Sequence, residues 1–210
     1  MAPIKTPAPN PSSNRGLRFA IWGVALVVIA LAGAMSLGLV PLGGMTGSPN
    51  VGTIGGPFTL VNTDGKTVTD ADFKGKARAM FFGFTHCPDV CPTTLADAGN
   101  WLNALGPKAN DIDFIFVSVD PSRDTPQQMK DYLSAFDPRI IGLTGSQAEI
   151  DKAVKEFRVY ARKVETSNGD YTMDHSAAVL LFDRNGTFAG TVDFNDPEDK
   201  AVAKLSKIVS

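Results

Sequence analysis

The pattern of apolar and polar positions predicts a folded unit that begins near residue 57. Short apolar runs alternate with longer amphipathic segments, which is typical of strands alternating with helices. The predicted strands cover residues 58–61, 67–69, 79–84, 113–119, 139–143, 159–164, 177–183 and 187–192. The predicted helices cover residues 93–105, 125–136, 147–157 and 197–208. Turns at Asp64-Gly65 and Asn185-Gly186 indicate hairpins, so the pattern favours an α/β domain with a mixed sheet.

The first 56 residues differ in character from this unit. Residues 1–18 are rich in proline and serine and are expected to form a disordered cytoplasmic tail. Residues 19–40 carry no charge and follow Arg15 and Arg18, which predicts a transmembrane anchor with its N-terminus in the cytoplasm. A cleaved signal peptide is the alternative, because Ala32-Gly33-Ala34 resembles a cleavage site. Residues 41–56 are then a flexible tether, and residues 57–210 form the exported domain.

The charge balance excludes one class of partner. Three of the chain's 20 basic residues and none of its 22 acidic residues lie in the first 44, so the remainder carries a net charge near −5. A nucleic-acid-binding domain needs a basic face. We therefore expect no nucleic-acid partner.

Both cysteines of the chain, Cys87 and Cys91, lie where the strand at 79–84 passes into a helix. We expect their sulfurs on one face of the first helical turn, where the helix N-terminus lowers thiol pKa values. A disulfide that only stabilises the fold gains little here because the loop it closes is very short. A thiol–disulfide exchange pair, with Cys87 and Cys91 as the redox-active residues, more often has two intervening residues. Two thiolates also suit Cu(I), and the small number of Cys and His residues favours a low-coordinate copper site.

The second histidine, His175, follows a polar segment at 165–174 that we expect to be a mobile loop. The apolar strand after it is predicted to be central, so His175 can approach the Cys87 turn. An ordinary loop histidine, bonded to the backbone, is the alternative. Asp174 is either a residue that orients His175 or a turn residue.

Four ordered motifs resemble those of the Sco/SenC family of copper chaperones. They are Gly83-Phe84-Thr85-His86-Cys87-Pro88-Asp89-Val90-Cys91-Pro92, Val119-Asp120-Pro121-Ser122-Arg123-Asp124-Thr125-Pro126, Ile141-Gly142-Leu143-Thr144-Gly145 and Asp174-His175-Ser176. The resemblance runs from about Gly55 to the C-terminus, and four motifs in order are far more specific than one Cys-x-x-x-Cys. It implies a thioredoxin-like domain that binds copper, as Cu(I) or Cu(II), through Cys87, Cys91 and His175.

The resemblance also implies a function and partners. The implied role is to help assemble the dinuclear copper centre in subunit II of cytochrome c oxidase, as a carrier and not as an enzyme. A copper donor protein and a thiol reductant of thioredoxin type would be further partners. The alternative is a thiol–disulfide reductase that keeps the cysteines of the oxidase subunit reduced. The short N-terminal tail lacks the long, Arg-rich presequence of a mitochondrial protein, so we expect a bacterial inner membrane, with one span and the C-terminal domain in the periplasm.

Other residues near these motifs have ordinary structural interpretations. His86 is expected to face solvent, Met80 to belong to the core and Met173 to pack in its loop. Asp89 is interpreted either as a complement to the helix N-terminus or as a partner contact. Arg123 and Asp124 are interpreted as a local salt bridge that fixes their loop.

Overall fold

A computed structural model describes Phe19 and residues 21–23, 53–167 and 169–210. The chain divides into two compact units, Met1–Asn50 and Val51–Ser210, and the second contains the predicted domain. Most of the predicted anchor at 19–40, all of the tail at 1–18 and most of the tether lie outside the described residues. Among the residues that are described, none of the helices is long and apolar enough to span a bilayer.

The domain contains nine strands in the described part of the chain. They are β1 (Thr59–Asn62), β2 (Thr67–Thr69), β3 (Ala77–Gly83), β4 (Ile112–Ser118), β5 (Ile140–Thr144), β6 (Ala161–Glu165), β7 (Tyr171–His175), β8 (Val179–Phe182) and β9 (Phe188–Val192). The α-helices are α1 (Val90–Leu105), α2 (Pro126–Leu133), α3 (Gln147–Glu156) and α4 (Glu198–Ile208). Two 3-10 helices, Asp70–Phe73 and Gly106–Asp111, complete the described elements.

Seven strands form one mixed sheet in the order β2-β1-β5-β4-β3-β8-β9. The central strands β3, β4 and β5 are parallel, while β1, β2, β8 and β9 join them through antiparallel pairings. The expected α/β domain with a mixed sheet is confirmed. Both predicted hairpins are present, because β1 pairs with β2 and β8 with β9.

The apolar runs of β3 and β4 explain their central position. In each of these two strands all residues except one are buried, which is the pattern of parallel strands covered on both faces. Phe81 of β3 lies opposite Phe116 of β4, with ring centroids 5.9 Å apart. The α1 and α4 helices contact each other, α2 packs against β5, and α3 packs against β1. The carboxyl end of β3 is therefore held rigidly by the core.

The helix starts follow the sequence closely. Thr125 caps α2 by accepting a hydrogen bond from the Gln128 amide, and Ser146 caps α3 in the same way. The α3 helix buries Ile150 and Ala153, while Ala148 is exposed.

The polar segment at 165–174 is the main departure from the predicted fold. Its second half is a strand, β7, which pairs antiparallel with β6 in a separate two-stranded sheet. Ala161 is opposite His175 in this pairing, and Glu165 is opposite Tyr171. The expectation of a loop running up to His175 is therefore wrong, since His175 is the last residue of a strand.

Candidate metal centre

The two cysteines lie on either side of the start of α1. Asp89 is the N-cap residue, so Cys87 precedes the helix and Cys91 is its second residue. The prediction that both sulfurs occupy the first helical turn is thus wrong for Cys87. The Cys87 amide donates to the Phe84 carbonyl at 3.3 Å, which closes a tight turn directly after β3. The turn brings the Cys87 sulfur to 3.4 Å from the Cys91 amide nitrogen, which donates to it.

Cys91 is packed against the core with no spare room. It is fully buried, and a Cβ atom built on Gly83 would lie 2.6 Å from its sulfur and 2.8 Å from the Phe116 ring. The close approach explains why the residue at the end of β3 has no side chain. Cys91 is consequently fixed by the sheet, while Cys87 is partly exposed.

His175 reaches the cysteines from the separate two-stranded sheet. Its Nδ1 lies 2.9 Å from the Ser176 carbonyl oxygen, which can only accept, so Nδ1 carries the hydrogen. The Nε2 atom is then free as an electron-pair donor, and it lies 3.4 Å from the Cys91 sulfur. Phe84 meets the imidazole edge to face, with centroids 5.7 Å apart, and Phe81 lies 6.0 Å away. These aromatic rings restrict the orientation of the imidazole.

The three side chains form a compact group. One candidate ligand atom from each of Cys87, Cys91 and His175 lies within 4.8 Å of the others. No further His, Cys, Asp or Glu of the described residues belongs to this group. An open cavity of about 210 Å³ adjoins it, lined by Phe84, Cys87, Pro88, Asp89, Val90, Thr172, Met173, Asp174, His175 and Ala177. The group is therefore accessible to a small ion from one side.

The pKa values of the two thiols are shifted in opposite directions. A hydrogen bond from Cys91, helped by contact with His175 and by backbone amides, lowers the pKa of Cys87 to about 3 despite its partial burial. The same hydrogen bond, together with burial, raises the pKa of Cys91 far above its ordinary value. The expectation that the helix N-terminus would lower both values is therefore wrong for Cys91. In the metal-free protein the pair holds one thiolate and one thiol.

The environment of His175 contains opposing influences on its protonation. Burial acts to lower the pKa of His175, but contact with Cys87 and the hydrogen bond to Ser176 outweigh it, so the pKa is raised. A thiolate beside a histidine favours the protonated ring. A metal cation would replace this proton as the positive partner of the thiolate.

A buried carboxylate supports the cysteine turn from behind. Asp124 is fully buried and accepts hydrogen bonds from the Thr85 amide at 3.1 Å, the Thr85 hydroxyl at 2.6 Å and the Ser118 hydroxyl at 2.6 Å. Its backbone carbonyl accepts from the Thr144 hydroxyl at 2.8 Å. The Val119–Pro126 motif is thereby tied to the residues that precede Cys87.

Arg123 connects the same motif to the strand that carries His175. Its Nε donates to the Asp120 carboxylate, and its Nη1 donates to the Tyr171 carbonyl at 3.0 Å. The Tyr171 hydroxyl donates to Asp120 at 3.0 Å. The predicted salt bridge between Arg123 and Asp124 is therefore wrong, because Arg123 pairs with Asp120 and Asp124 binds Thr85 and Ser118. Tyr171 and Asp120 are supporting residues that the sequence analysis did not select.

The remaining candidate residues lie outside the cluster. The His86 side chain is 51% exposed and its Nδ1 is 3.0 Å from the Thr85 hydroxyl. Met80 is fully buried in the core. Met173 lines the cavity without belonging to the three-residue group. Asp174 faces Arg162 at 3.9 Å, and the Ser176 carbonyl, not Asp174, orients the histidine.

Comparisons with known proteins agree with this arrangement. The family model described as SCO1/SenC matches residues 46–210. The chain is 44% identical over 129 residues to "Protein SCO1 homolog 1, mitochondrial" of Arabidopsis thaliana, a match that covers 61% of this chain and 39% of that protein. The match to "Protein sco1" of Schizosaccharomyces pombe covers 53% of that protein, so the chain spans about 40 to 50% of the length of these two relatives.

Two solved structures show the same fold. A structure described as Bradyrhizobium japonicum ScoI with copper bound is 51% identical, with a TM-score of 0.69 and coverage of 74% of this chain and 99% of that one. BsSco, described as a member of the Sco family of cytochrome c oxidase assembly proteins with a disulfide switch, is 28% identical, with a TM-score of 0.59 and coverage of 75% and 94%. The domain is thioredoxin-like, as expected. With a family model that matches more than three quarters of it, the chain belongs to the SCO1/SenC family.

Proposed function

We propose that this protein is a copper-binding metallochaperone that takes part in the assembly of cytochrome c oxidase. The observation that carries the proposal is the convergence of Cys87, Cys91 and His175 within 4.8 Å. The copper bound to the Bradyrhizobium japonicum relative and the assembly role stated for BsSco and its family support it.

The chemistry of the donor set favours Cu(I). Two sulfurs and one imidazole nitrogen are soft or borderline ligands, and a structural zinc site would use four. Metal–sulfur and metal–nitrogen bonds of about 2.0–2.3 Å place the ligands of a trigonal site roughly 3.5–4 Å apart. The present upper limit of 4.8 Å is close to this, so a small closing movement completes the site.

The site is also suited to release. Cys91 is fixed in the core, whereas Cys87 is partly exposed and His175 belongs to another sheet. An incoming pair of thiolates can therefore replace the outer ligands first. We propose subunit II of the oxidase as the recipient, with a separate copper donor and a reductant of thioredoxin type that keeps Cys87 and Cys91 reduced.

The deciding experiment is an anaerobic Cu(I) titration of the reduced domain, residues 51–210, against a chromophoric competitor. The wild type should bind one equivalent, His175→Ala should weaken binding at least tenfold, and Cys87→Ala with Cys91→Ala should abolish it. His86→Ala is the matched control and should bind as the wild type does. An affinity unchanged by His175→Ala would contradict the three-ligand site.

A thiol–disulfide reductase is the second candidate, and the unequal acidities of the two thiols favour it. Cys87 is held as a thiolate beside a protonated Cys91, so Cys87 can attack a partner disulfide and Cys91 can resolve the mixed disulfide. If this is the function, Cys91→Ala should accumulate a mixed disulfide through Cys87, while His175→Ala should retain exchange activity. Exchange activity that is lost in Cys87→Ala but retained in His175→Ala would separate this function from copper binding.

We further propose that residues 19–40 anchor the protein in a bacterial inner membrane, with the domain in the periplasm. The uncharged run after Arg15 and Arg18 supports this topology. Protease added to intact spheroplasts should remove the domain and leave a membrane-bound fragment. Protection of the domain would contradict a periplasmic location.

A further inference from the structure

A large cavity in the described part of the chain lies far from the cysteines. Its volume is about 670 Å³, within the usual range for small-molecule sites. Arg78, near the start of β3, and Phe182, at the end of β8, both line it and are opposite each other in the sheet. Gly83 ends β3 five residues later, roughly 17 Å along the strand, so the cavity and the metal centre occupy opposite ends of the sheet.

Part of the wall of this cavity is aromatic. Phenylalanines from four different parts of the chain line it: Phe73, Phe157, Phe182 and Phe188. Their rings pack on one another, with Phe157 and Phe182 5.5 Å apart and Phe182 and Phe188 5.7 Å apart. Phenylalanine rings can pack against an apolar chain or ring that has no hydrogen-bonding groups.

Positive charge surrounds the aromatic wall. Lys74, Arg78, Arg158 and Arg184 line the cavity, against one lining carboxylate, Asp70. Glu156 adds a second carboxylate nearby, since a Cβ atom on Gly56 would lie 2.4 Å from its Oε2. Counting both, the local balance remains at two positive charges in a domain whose overall charge is negative.

Arg78 is the most confined of these cations. Its guanidinium carbon lies 5.5 Å from the Phe182 ring centroid, and its Nε is buried with no hydrogen-bond partner among the described residues. Gly186 passes so close that a Cβ atom there would lie 2.6 Å from Nη2. Of the neighbouring carboxylates, Asp113 binds Lys76 and Asp183 accepts amides of its own turn. Asp70 lines the cavity and acts on Arg78 as a nearby charge, without a hydrogen bond or ion pair to it. A buried guanidinium donor without an acceptor is costly unless a ligand supplies one.

The other cations differ in their availability. Arg184 is already bonded to the Val209 carbonyl at 2.7 Å and lies 3.5 Å from Asp111. The Arg158 side chain makes no hydrogen bond or ion pair within the described residues. Arg78 and Arg158 both line the cavity, so an anion bound there can meet both guanidinium groups.

The chain itself cannot neutralise this group from its N-terminal side. Residues Thr53 to Pro57 line the cavity, but the first acidic residue of the whole sequence is Asp64. Residues 53–57 therefore bring no negative charge to the cavity, whose carboxylates are Asp70 and the nearby Glu156.

From this juxtaposition of aromatic wall and unpaired arginines we infer that the cavity is a binding site for a free amphipathic carboxylate, such as a medium-chain fatty acid. The carboxylate accepts hydrogen bonds from Arg78 and Arg158, and the apolar body packs on the phenylalanines. The site is separate from the metal centre and does not depend on copper.

The test is an NMR titration of ¹⁵N-labelled domain, residues 51–210, with decanoate. The solved Bradyrhizobium japonicum chain corresponds almost entirely to this part, so the domain folds without the N-terminal segment. We expect saturable shifts at residues 53–57 and 184–188, and none at Cys87 or His175. The uncharged match 1-decanol should bind at least tenfold more weakly, because it cannot form the charge-assisted hydrogen bonds.

The variants separate charge from shape. Arg158 has a φ of +53°, a conformation that asparagine tolerates, so Arg158→Asn should fold normally and weaken decanoate binding about tenfold. Arg158→Lys should remain within threefold of the wild type, and Lys130→Gln, outside the cavity, should have no effect. Arg78→Met is the second charge-removing variant. Wild-type affinity in both Arg158→Asn and Arg78→Met, or equal binding of decanol, would overturn the inference.

Two further experiments test whether a membrane surface or the preceding segment of the chain occupies the cavity instead of a free ligand. Sedimentation with phosphatidylglycerol vesicles, in the absence of any decanoate shift, would show a membrane surface to be the partner and overturn the free-ligand proposal. Loss of decanoate binding in a longer domain, residues 41–210, would show that the uncharged preceding segment occupies the cavity, which would also overturn it.

Discussion

The guanidinium carbon of Arg123 lies 3.7 Å from the centroid of the Tyr171 ring. The stack connects the loop after β4 to the strand that ends in His175. It is reinforced by the hydrogen bonds that Asp120 accepts from both side chains. The position of the proposed third ligand therefore depends on a residue with no contact to the metal.

Arg123→Lys should expose this dependence. Lysine keeps the charge but loses the planar stack and the fork of donors, so we expect a loss of roughly 1–2 kcal/mol in the free energy of unfolding. Copper affinity should fall by the same mechanism, because His175 is held less well. Urea denaturation and competitive Cu(I) titration measure the two effects. Arg162→Lys, on the same two-stranded sheet but 65% exposed, is the control and should change neither quantity.

Asp124→Asn should destabilise the cysteine turn. The carboxylate of Asp124 accepts three hydrogen bonds, from the Thr85 amide and from the hydroxyls of Thr85 and Ser118. In asparagine an NH2 group would replace one of the accepting oxygens and face one of these donors in a fully buried position. We expect a loss of about 1–3 kcal/mol in the free energy of unfolding, measured by urea denaturation. Asp131→Asn is exposed and can still accept from Gln127, so it should be neutral. Equal stability of the two variants would contradict a supporting role for Asp124.

Gly83→Ala should damage the metal centre through packing alone. The added Cβ meets the Cys91 sulfur at 2.6 Å and the Phe116 ring at 2.8 Å, and overpacking of this kind costs about 1–3 kcal/mol. We expect a lower melting temperature together with weaker Cu(I) binding.

Gly99→Ala, within α1, is the matched control for Gly83→Ala. Its Cβ would meet only Asp137, at 3.3 Å, and alanine favours a helix, so stability should hold or rise. Normal copper binding by Gly83→Ala would show that Cys91 can move freely, against the packing described above.

The pH dependence of thiol reactivity should distinguish Cys87 from an ordinary cysteine. Because its pKa is lowered to about 3, Cys87 in the metal-free protein remains a thiolate at every pH above that value. Its alkylation rate with iodoacetamide should stay flat from pH 8 to about pH 4 and fall only below that. Cys91 should remain unmodified, since it is buried and its pKa is raised.

The control for this profile removes the hydrogen bond. In Cys91→Ala the pKa of Cys87 should rise towards its ordinary value, so the alkylation rate should increase steeply between pH 6 and 8. Peptide mapping by mass spectrometry assigns the modified residue. A steep increase already present in the wild type would contradict the thiolate.

The sequence predicted the central sheet well because β3 and β4 are buried on both faces and therefore appear as continuous apolar runs. It missed β7, which within the described residues pairs only with β6. Both strands are half exposed, so neither shows an apolar run. Tyr171 and Thr172 have high β-propensity and were the available signal. Arg123 pairs with Asp120 and not with its neighbour Asp124 because of the geometry of the turn, which the spacing of the residues in the sequence does not specify.

The site was predictable only in part from residue chemistry. The pairing of Cys87 with Cys91 follows from their spacing and from the turn after an apolar strand. The approach of His175 to the cysteine turn was expected because the apolar strand after it was predicted to be central. Its assignment as the third ligand, 84 positions from Cys91, came from the family resemblance. The difference between the two thiols arises from burial and from one hydrogen bond, which the structure shows and the sequence does not.

The backbone of β7 is bonded to β6 and, within the described residues, to no strand of the seven-stranded sheet. The proposed ligands therefore come from two sheets. Both cysteines follow β3 of the seven-stranded sheet, and the histidine ends β7 of the two-stranded sheet. Movement of His175 away from the cysteines would break side-chain contacts but no backbone hydrogen bond between strands of the seven-stranded sheet. Arg123 and Asp120 hold β7 against the main domain through their contacts with Tyr171. A change in these contacts should therefore alter the geometry of the proposed ligands and the stability of the domain together.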